Sequence, residues 1–381
     1  MKAPAILVLL AAACAAGDWA DRAEYDLALK VRAEASPKKR IELLDQWKAK
    51  YPKSDSRQAR RELYLAAYQA LGDNAAMLAV AKEMLADQPA NPVGQYWCTL
   101  LVPGAKDNSA GTLEAGERAA QALRAGPSAD LQLLAMRALG WIRWQRGDLA
   151  GAQTELTAYL QKQPKSAEIS AWLGMVLAYQ KQPEKQVPSL YHLARAASLS
   201  GEGALPERQQ RQVGALLDRL YTSYHGDTSG LDELRTKAVG QAFPPADLVI
   251  ETGAVVAARR AEEELERTNP MLAAWLKIRK RLEGPDGAQY FEETLKPAPL
   301  VRLRGTVIRC TPAKKPKECV LGLSDAAAEE VVLKVNPSFA AAPEPGTVVE
   351  FEGRAESFNP SPFTITVVAE RDKVDIPAKG G

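Results

Sequence analysis

The chain has 381 residues, of which 46% are hydrophobic and 25% charged, and its formal net charge is +2. Its length exceeds that of a usual single core, so the sequence predicts two or more domains or one elongated repeat array. The near-neutral charge excludes the strongly basic footprint of a nucleic-acid or membrane-surface binder, and the two histidines, His192 and His225, leave little material for an imidazole-based metal or acid–base site.

The first 17 residues have the layout of a secretion signal peptide. Lys2 gives a positive start, residues 5–13 form a short apolar run, and small residues at 15–17 offer a cleavage site before Asp18. The run is too short to span a bilayer, and no later stretch reaches the ~18 apolar residues that a membrane helix needs. The sequence therefore predicts an exported protein of the periplasm or cell envelope.

Cys14 leaves two modes of processing open. The segment Ala-Ala-Ala-Cys at 11–14 resembles a bacterial lipobox, in which the cysteine becomes the lipidated first residue of the mature chain. The lipobox pattern prefers Leu, Val or Ile at the position of Ala11. Ordinary cleavage nearby would remove Cys14, whereas lipidation would tether the protein to a membrane through an N-terminal anchor.

A fixed order of small, turn-forming and helix-stopping residues marks the middle of the chain: Leu139, Gly140, Gly147, Asp148, Ala152, Leu156 and Pro164. The pattern returns after 34 residues, at Gly174 (174 − 140) and Leu190 (190 − 156). Order and period resemble the tetratricopeptide repeat. The resemblance implies helical hairpins in which the small residues let two helices approach, the Gly-Asp pair turns the chain, and proline ends the second helix.

The same frame extends upstream with one interruption. Gly72 precedes Gly147 by 75 residues (147 − 72), which is two periods of 34 plus seven. We expect the seven extra residues in the Pro- and Gly-containing loop around 103–111. The sequence thus predicts about six hairpins, which form a right-handed α-solenoid over residues 18–245.

Residues 246–296 are predicted to be helical as well. Asn269 followed by Pro270 is a good helix start, an N-cap with proline at the first helical position. Leu272 and Trp275 then begin an apolar face at helical spacing. The expected role of this segment is a cap that closes the solenoid.

The pattern changes at Pro297. Residues 301–304, 332–335 and 348–352 alternate between apolar and polar side chains, and prolines separate such runs. Five or six short strands in about eighty residues indicate a small β-domain over 297–381, either a barrel or a sandwich. An OB-like barrel is the first choice, on strand count alone.

Three cysteines remain beyond the leader. Cys310 ends one predicted strand and Cys319 begins the next, so in an oxidising compartment the two are natural disulfide partners across a hairpin. Cys98 lies among apolar helical residues and is predicted to be a buried free thiol. No Cys-x-x-Cys pair supports a structural zinc site.

No catalytic or cofactor motif is present, since the nucleotide-binding glycine loops, the zinc-protease motif and the serine-hydrolase elbow are all absent. His225, Asp227 and Ser229 lie within five residues of one another, but a repeat turn explains them better than a catalytic triad, whose members must converge in space. The sequence therefore predicts a protein without catalytic residues, cofactor or metal. The alternative is an envelope enzyme whose site in or near the β-domain would use carboxylates such as Asp325, Glu329 and Glu330.

The predicted β-domain offers little for binding nucleic acid. It contains no Trp, Tyr or His, and its phenylalanines are expected in the core rather than as platforms for stacked bases. The basic run Lys314, Lys315 and Lys317 marks either a solvated hairpin tip, which is the commoner case, or a contact for an anionic ligand.

The tetratricopeptide resemblance also implies a ligand-binding surface. In that family the second, fifth, ninth, twelfth and thirteenth residues of each first helix line the concave groove. With Gly140 and Gly174 at the eighth position, the groove residues that suit an interface are Arg137, Trp141, Trp144, Met175 and Tyr179. The tryptophans could instead pack between hairpins; the two alternatives are even for Trp141, and the groove is favoured for Trp144. The expected function is a non-enzymatic adaptor that binds a peptide or protein in this groove.

Overall fold

A computed structural model describes residues 19–376 of the chain. The predicted leader at 1–17, including Cys14, lies outside the described residues. The chain is mainly helical and ends in a seven-stranded sheet. It divides into two compact units, Met1–Ile250 and Glu251–Gly381.

The described part of the first unit contains twelve helices, joined mostly by short turns. They are α1 (Arg22–Ala33), α2 (Pro37–Lys50), α3 (Arg57–Leu71), α4 (Asn74–Asp87), α5 (Pro92–Leu101), α6 (Ala110–Ala125), α7 (Ala129–Gln145), α8 (Leu149–Lys162), α9 (Ala167–Tyr179), α10 (Pro183–Ser198), α11 (Glu207–His225) and α12 (Leu231–Gly240). From α1 to α11 each helix packs against the next, and α12 returns onto α10. In addition α7 contacts both α5 and α9. The helices thus form successive pairs, with the first helices of neighbouring pairs side by side in this region.

Two Gly-Asp turns join helices at the positions that the repeat pattern predicts. Gly72 has a φ of 70° and Gly147 a φ of 79°, in the left-handed region that glycine adopts without steric cost. Asp73 and Asp148 then cap α4 and α8, because each carboxylate accepts a hydrogen bond of 2.9 Å from the backbone N–H three residues further on. Turn and cap together begin the second helix of each pair.

Gly140 and Gly174 lie where paired helices come closest. A Cβ at Gly140 would stand 2.6 Å from Cδ2 of Leu156, and a Cβ at Gly174 would stand 2.8 Å from Cγ of Leu193. A larger residue would force these helices apart. The 34-residue pattern makes Leu190 the counterpart of Leu156, whereas the contact is made by Leu193, three residues further along α10 (193 − 190). The period therefore predicts the helix pair but not the contact within it.

One helix pair carries an insertion. α5 has only 10 residues, against 15 in α3 and 17 in α7, and the loop 102–109 follows it. This loop falls largely within the segment 103–111 in which the extra residues are predicted. From the start of α5 to the start of α7 the chain runs 37 residues (129 − 92), so this helix pair supplies three of the seven extra residues, and the others lie outside the loop.

The second unit begins with helices that pack on its own sheet. They are α13 (Gly253–Thr268), α14 (Pro270–Leu282), α15 (Gly287–Tyr290) and a π-helical turn (Phe291–Leu295). Trp275 of α14 is only 1% exposed and shares one core with strand residues such as Phe351 and Ile365. Strands of the second unit cover the apolar face of α14, so this face belongs to the core of that unit, and the expectation that residues 246–296 cap the solenoid stays a prediction.

Seven strands form a single sheet in the described part of the second unit. They are β1 (Leu303–Thr311), β2 (Glu318–Gly322), β3 (Val331–Asn336), β4 (Val348–Phe351), β5 (Arg354–Pro360), β6 (Phe363–Glu370) and β7 (Val374–Asp375). The strand order is β5-β6-β3-β2-β1-β4-β7. The β3–β6 pair is parallel, and the other pairs are antiparallel. Alternate residues of β3 and β6 are buried, so one face of the sheet covers the core.

The cysteines occupy two kinds of environment. Cys310 of β1 lies directly opposite Cys319 of β2, with 4.0 Å between their Cα atoms, and the two form a disulfide across the strand pair. Cys98 of α5 is a fully buried free thiol, and burial raises its pKa to about 11. At neutral pH this thiol stays protonated and behaves as a small apolar side chain.

Candidate functional site

Two neighbouring helices, α7 and α9, bring most of the predicted groove residues together. Arg137 of α7 forms a two-pronged ion pair with Glu168 of α9, in which Nε and Nη2 each donate a hydrogen bond of 2.8 Å to one carboxylate oxygen. Its guanidinium also lies over the ring of Trp172, 5.1 Å from the ring centroid. This geometry holds the guanidinium flat and fixed, because both its edge and its face are engaged.

Aromatic side chains continue this surface towards the C-terminal ends of the same two helices. Trp144 and Tyr179 have ring centroids 6.4 Å apart, at an interplanar angle of 43°. The Tyr179 side chain is 61% exposed, which is unusual for a large apolar residue of this protein, whereas Trp144 is half-buried. We call the set Arg137, Trp144, Glu168, Trp172 and Tyr179 the α7/α9 surface.

Two predicted groove residues do not belong to this surface. Trp141 is only 7% exposed and packs in the core formed by helices α4 to α7. Its assignment to the groove is corrected, because the apolar face of α7 extends to this residue and neighbouring helices cover it. Met175 is half-buried and packs against the cluster that contains Leu190 and Tyr191.

Glu168 and Trp172 were not among the predicted site residues. Both lie on α9, four residues apart, and Tyr179 follows Trp172 by seven residues, so the three share one face of the helix. A search for an acid on α9 that could pair with Arg137 would have found Glu168. The family's groove positions do include Glu168, which is the second residue of the helix when Gly174 is the eighth (174 − 6), but Glu168 was not selected as an interface residue.

The α7/α9 surface can bind but offers no chemistry of its own. An exposed aromatic ring and an ordered arginine on one surface are the residue types of interface anchors. The surface includes no nucleophile paired with a base, and its one carboxylate is neutralised by Arg137. The rings of Trp144 and Tyr179 form one end of the surface, and the ion pair between Arg137 and Glu168 lies at the other end.

The His225 cluster has the geometry of a turn. The Ser229 hydroxyl donates to Asp227 Oδ1 at 2.5 Å, and His225 Nε2 lies 3.0 Å from the same hydroxyl oxygen and 3.7 Å from the carboxylate. A catalytic histidine bridges its partners with two different ring nitrogens. Here one nitrogen faces both groups, and Asp227 also accepts a hydrogen bond from the Ser229 backbone N–H.

The carboxylates of the enzyme alternative point in separate directions. Glu330 is buried and accepts hydrogen bonds from the Ser324 backbone N–H at 2.6 Å and from Arg279 at 2.6 Å. Burial opposes its ionisation, but the bonds from Ser324 and its neighbours outweigh burial and lower the pKa. Glu329 pairs with Arg309 on the exposed side, and Asp325 accepts from a backbone N–H in its own turn.

The basic run lies in the loop between β1 and β2. Lys314, Lys315 and Lys317 are exposed, whereas Pro316 is buried and its carbonyl accepts a hydrogen bond of 3.2 Å from the Phe339 backbone N–H. The loop is thus anchored at Pro316, and its lysines extend into solvent.

Within residues 19–376, no group of three or more His, Cys, Asp or Glu side chains could hold a metal ion. No helix within the same residues is long and apolar enough to cross a membrane.

Comparisons with known proteins assign the chain to no family. No protein-family model matches the sequence, and no curated protein matches it. A thermophilic TPR protein of Thermus thermophilus is similar in solved structure at 18% identity, with a TM-score of 0.30, over 51% of this chain and 97% of that chain. A TM-score this low carries no argument about fold or function.

Proposed function

We propose that the chain is a non-enzymatic interaction adaptor of the cell envelope, whose first unit is a right-handed tetratricopeptide-type solenoid that binds a peptide or protein on the α7/α9 surface. The observation that carries this proposal is the exposed Tyr179 ring, which lies next to Trp144 on the surface where Arg137 is held over Trp172. Aromatic and arginine side chains dominate the binding energy of protein interfaces. The α7 and α9 helices hold them in place before any partner arrives, which lowers the entropic cost of binding.

The second unit is proposed to be an OB-like barrel that contacts a second partner. β5 lies at one edge of the strand order and β4 next to the other edge, yet only residues 352 and 353 separate them in sequence. Phe351 and Arg354 are three residues apart, so their Cα atoms lie within about 11 Å, and the sheet must curl to bring β4 and β5 this close. The parallel β3–β6 pair within an otherwise antiparallel sheet also agrees with this assignment. The strands expose side chains of both charges, which form ion pairs such as that of Lys334 with Glu356.

Location outside the cytoplasm is part of the proposal. It rests on the signal-like residues 1–17 and is compatible with the disulfide between Cys310 and Cys319, since disulfides persist in oxidising compartments. Lipidation at Cys14 would add a membrane tether without changing the binding surface. The enzyme alternative has no specific observation in its favour, because Asp325, Glu329 and Glu330 do not converge.

The test compares capture by matched surface variants. Mature protein, from residue 18 onwards, is immobilised as wild type, Tyr179→Ala and Leu29→Ala, and envelope extract is passed over each. Leu29 is a suitable control because it is also an exposed large apolar residue, 43% exposed, on α1. We expect one defined protein to be retained by wild type and Leu29→Ala, and its affinity for Tyr179→Ala to fall by about 1–3 kcal/mol.

Thermal melts of the same proteins separate binding from folding. Truncation of an exposed side chain usually changes stability by less than about 0.5 kcal/mol, so all three should melt together. Equal retention by Tyr179→Ala and wild type, with equal melting temperatures, would refute the assignment of the partner to the α7/α9 surface.

A further inference from the structure

A cleft of about 850 Å³ lies in the first unit beside the inserted loop. α5 ends at Leu101, where α3 and α7 are five to seven residues longer (15 − 10; 17 − 10), and the chain turns away through Pro103 and Gly104. Gly104 has a φ of 96°, which glycine adopts freely. The cleft follows from the sequence, because loop 102–109 stands where further turns of α5 would run.

The wall formed by this loop is fixed by side-chain bonds. Asp107 accepts hydrogen bonds from the Ser109 backbone N–H at 2.9 Å and from the Thr112 hydroxyl. Lys82 of α4 reaches the same Thr112 hydroxyl at 2.6 Å, and the Asn108 amide donates to Gln145 of α7 at 3.0 Å. The loop is therefore tied to α4, α6 and α7, and the cleft is preformed.

The floor of the cleft is apolar. Met77 and Leu78 of α4 are buried beneath it, and Trp97, Leu100 and Leu101 of α5 are half-exposed along it. These three side chains would bury further apolar area against an apolar ligand group, which is the driving force of pocket binding.

The rim of the cleft carries an excess of positive charge. Its charged side chains are Lys82, Lys106, Asp107 and Arg137, three cations and one anion. Lys82 lies 3.7 Å from Asp107, and Arg137 is paired with Glu168. Lys106 is exposed, and within residues 19–376 no carboxylate forms an ion pair with it. A negatively charged ligand group near Lys106 would neutralise the remaining positive charge of the rim.

Two exposed amides complete the rim. Gln69 at the end of α3 and Asn74 at the start of α4 both line the cleft. An amide side chain donates and accepts at once, which matches the N–H and C=O of a peptide unit. A lipid tail would use neither group, and a simple anion would use only the donor.

We propose that this cleft binds an extended peptide segment in which a bulky apolar side chain stands next to an aspartate or glutamate. The apolar side chain lies on Trp97, Leu100 and Leu101, the acidic side chain faces Lys106, and the rim amides hold the peptide backbone. The proposal rests on the proposed function and deepens it, since it names the chemistry of the partner segment. Arg137 belongs to both the cleft rim and the α7/α9 surface, so the two sites are continuous.

The experiment uses hexapeptide pools in which two adjacent positions are fixed and four are randomised. Binding to the mature protein is measured for each pool by competition with a fluorescent pool. We expect the pools that combine Leu, Phe or Trp with Asp or Glu to bind best, and the matched pools with Asn, Gln or Lys to bind about tenfold more weakly. Absence of any preferred pool would overturn this proposal, whereas the proposed function is tested separately by capture from envelope extract with the Tyr179→Ala and Leu29→Ala variants.

Two variants and their controls test the location. Lys106→Glu should reverse the preference from acidic to basic pools, whereas Lys162→Glu, a change at an exposed lysine of α8, should leave it unchanged. Ala79→Trp fills the cleft from an exposed position of α4 and should abolish binding, whereas Ala150→Trp on α8 should not. Thermal melts establish that all four proteins are folded.

The outcome separates the cleft from the wider function. If a pool binds and Tyr179→Ala weakens it while Lys106→Glu and Ala79→Trp do not, peptides bind the α7/α9 surface and the cleft assignment is wrong. If an apolar pool binds regardless of the neighbouring residue and of Lys106→Glu, the acidic requirement is wrong.

Discussion

A single hydrogen atom is the largest side chain that fits at Gly140. The Cβ of an alanine there would meet Cδ2 of Leu156 at 2.6 Å, so helices α7 and α8 would have to separate or the leucine would have to leave its rotamer. We expect Gly140→Ala to lower the free energy of unfolding by about 1–3 kcal/mol, and Gly140→Leu to damage the fold outright. Urea denaturation measures the difference.

Gly111 supplies the matched control. It also lies in a helix, α6, but nothing stands within 4 Å of the Cβ that alanine would add. Gly111→Ala should leave stability unchanged or raise it, since alanine favours helix by up to about 1 kcal/mol. Equal effects of the two substitutions would contradict the close approach of α7 and α8.

His192 should make the stability of the first unit depend on pH. The ring is 2% exposed, its Nδ1 has no hydrogen-bond partner within the described residues, and burial together with nearby Arg195 lowers its pKa to about 3 from an ordinary value of 6.5. Between pH 6.5 and about 3, His192 is protonated in the unfolded chain but not in the folded chain. The free energy of unfolding therefore falls as the pH falls. The loss approaches about 1.4 kcal/mol for each pH unit in this window.

Replacement of His192 by phenylalanine removes the titrating group. The wild-type ring makes edge contacts with Tyr191 and Phe243, which a phenylalanine ring can keep. Denaturation at several pH values from 7 to 4 should show a smaller loss of stability for His192→Phe than for wild type. A difference between the two proteins that stays constant over this range would mean that His192 does not titrate on unfolding.

At the scale of single residues, the sequence predicted backbone conformation better than it predicted side-chain exposure. Gly72 and Gly147 were predicted as turns from the resemblance to the tetratricopeptide repeat, and both are turns, because a left-handed backbone and an aspartate cap are local properties. Trp141 and Trp144 are three residues apart on one helix, and periodicity places both near the same face. Whether a neighbouring helix covers a residue depends on residues that are distant in sequence. Periodicity therefore could not show that Trp141 lies in the core.

At the scale of elements, the strand pair β1–β2 carries the one disulfide of the described chain. Cys310 and Cys319 enclose the exposed lysine loop, and a closed loop of this length gives about 2–3 kcal/mol by restricting the unfolded chain. We expect the double substitution to serine at both positions to lower the stability of the second unit by that amount. Thiol labelling of native protein without reductant should leave both cysteines unmodified.

Cys98 provides the internal control for labelling. Its thiol is buried and should react only after denaturation, so one thiol per chain should then appear in the mature protein cleaved after residue 17. Three reactive thiols after denaturation would show that the disulfide is absent.

The sequence also predicted where an element departs from the pattern, but not which elements pack together. The seven extra residues implied a long loop near 103–111, and the loop 102–109 lies there, although its helix pair exceeds the period by only three residues (129 − 92 = 37). The apolar stripe of α14 correctly indicated a buried face. The stripe did not indicate which residues cover it, and these include sheet residues such as Phe351.

At the scale of the whole molecule, the export prediction concerns the mature N-terminus. A leader over residues 1–17 implies that native protein begins near Asp18 or at a lipidated Cys14. Intact-mass measurement of protein purified from its own cell distinguishes the two, because lipidation adds the mass of acyl chains. Recovery of the full-length chain with Met1 in the cytoplasm would contradict both.

The two-part organisation was predicted from a change in periodicity, and its boundary was not. The helical pattern at 246–296 resembles that of the repeats, so the segment was predicted to be a helical cap that closes the solenoid. The division lies between Ile250 and Glu251, since Trp275, Leu282 and Phe291 complete the core of the second unit. The residue pattern of a segment indicates whether it forms a helix or a strand. Only its packing shows to which unit it belongs.

The strand order carries a kinetic consequence. Helices α1 to α11 each pack on the next, so contacts in that part of the first unit can form while the chain is still being delivered. The second unit must instead join Leu303 to Phe351, and Val331 to Ile365, before its sheet is complete. A chain that emerges from an export channel with its N-terminus first would therefore finish its helical repeats early and acquire the sheet last, after β6 has passed through.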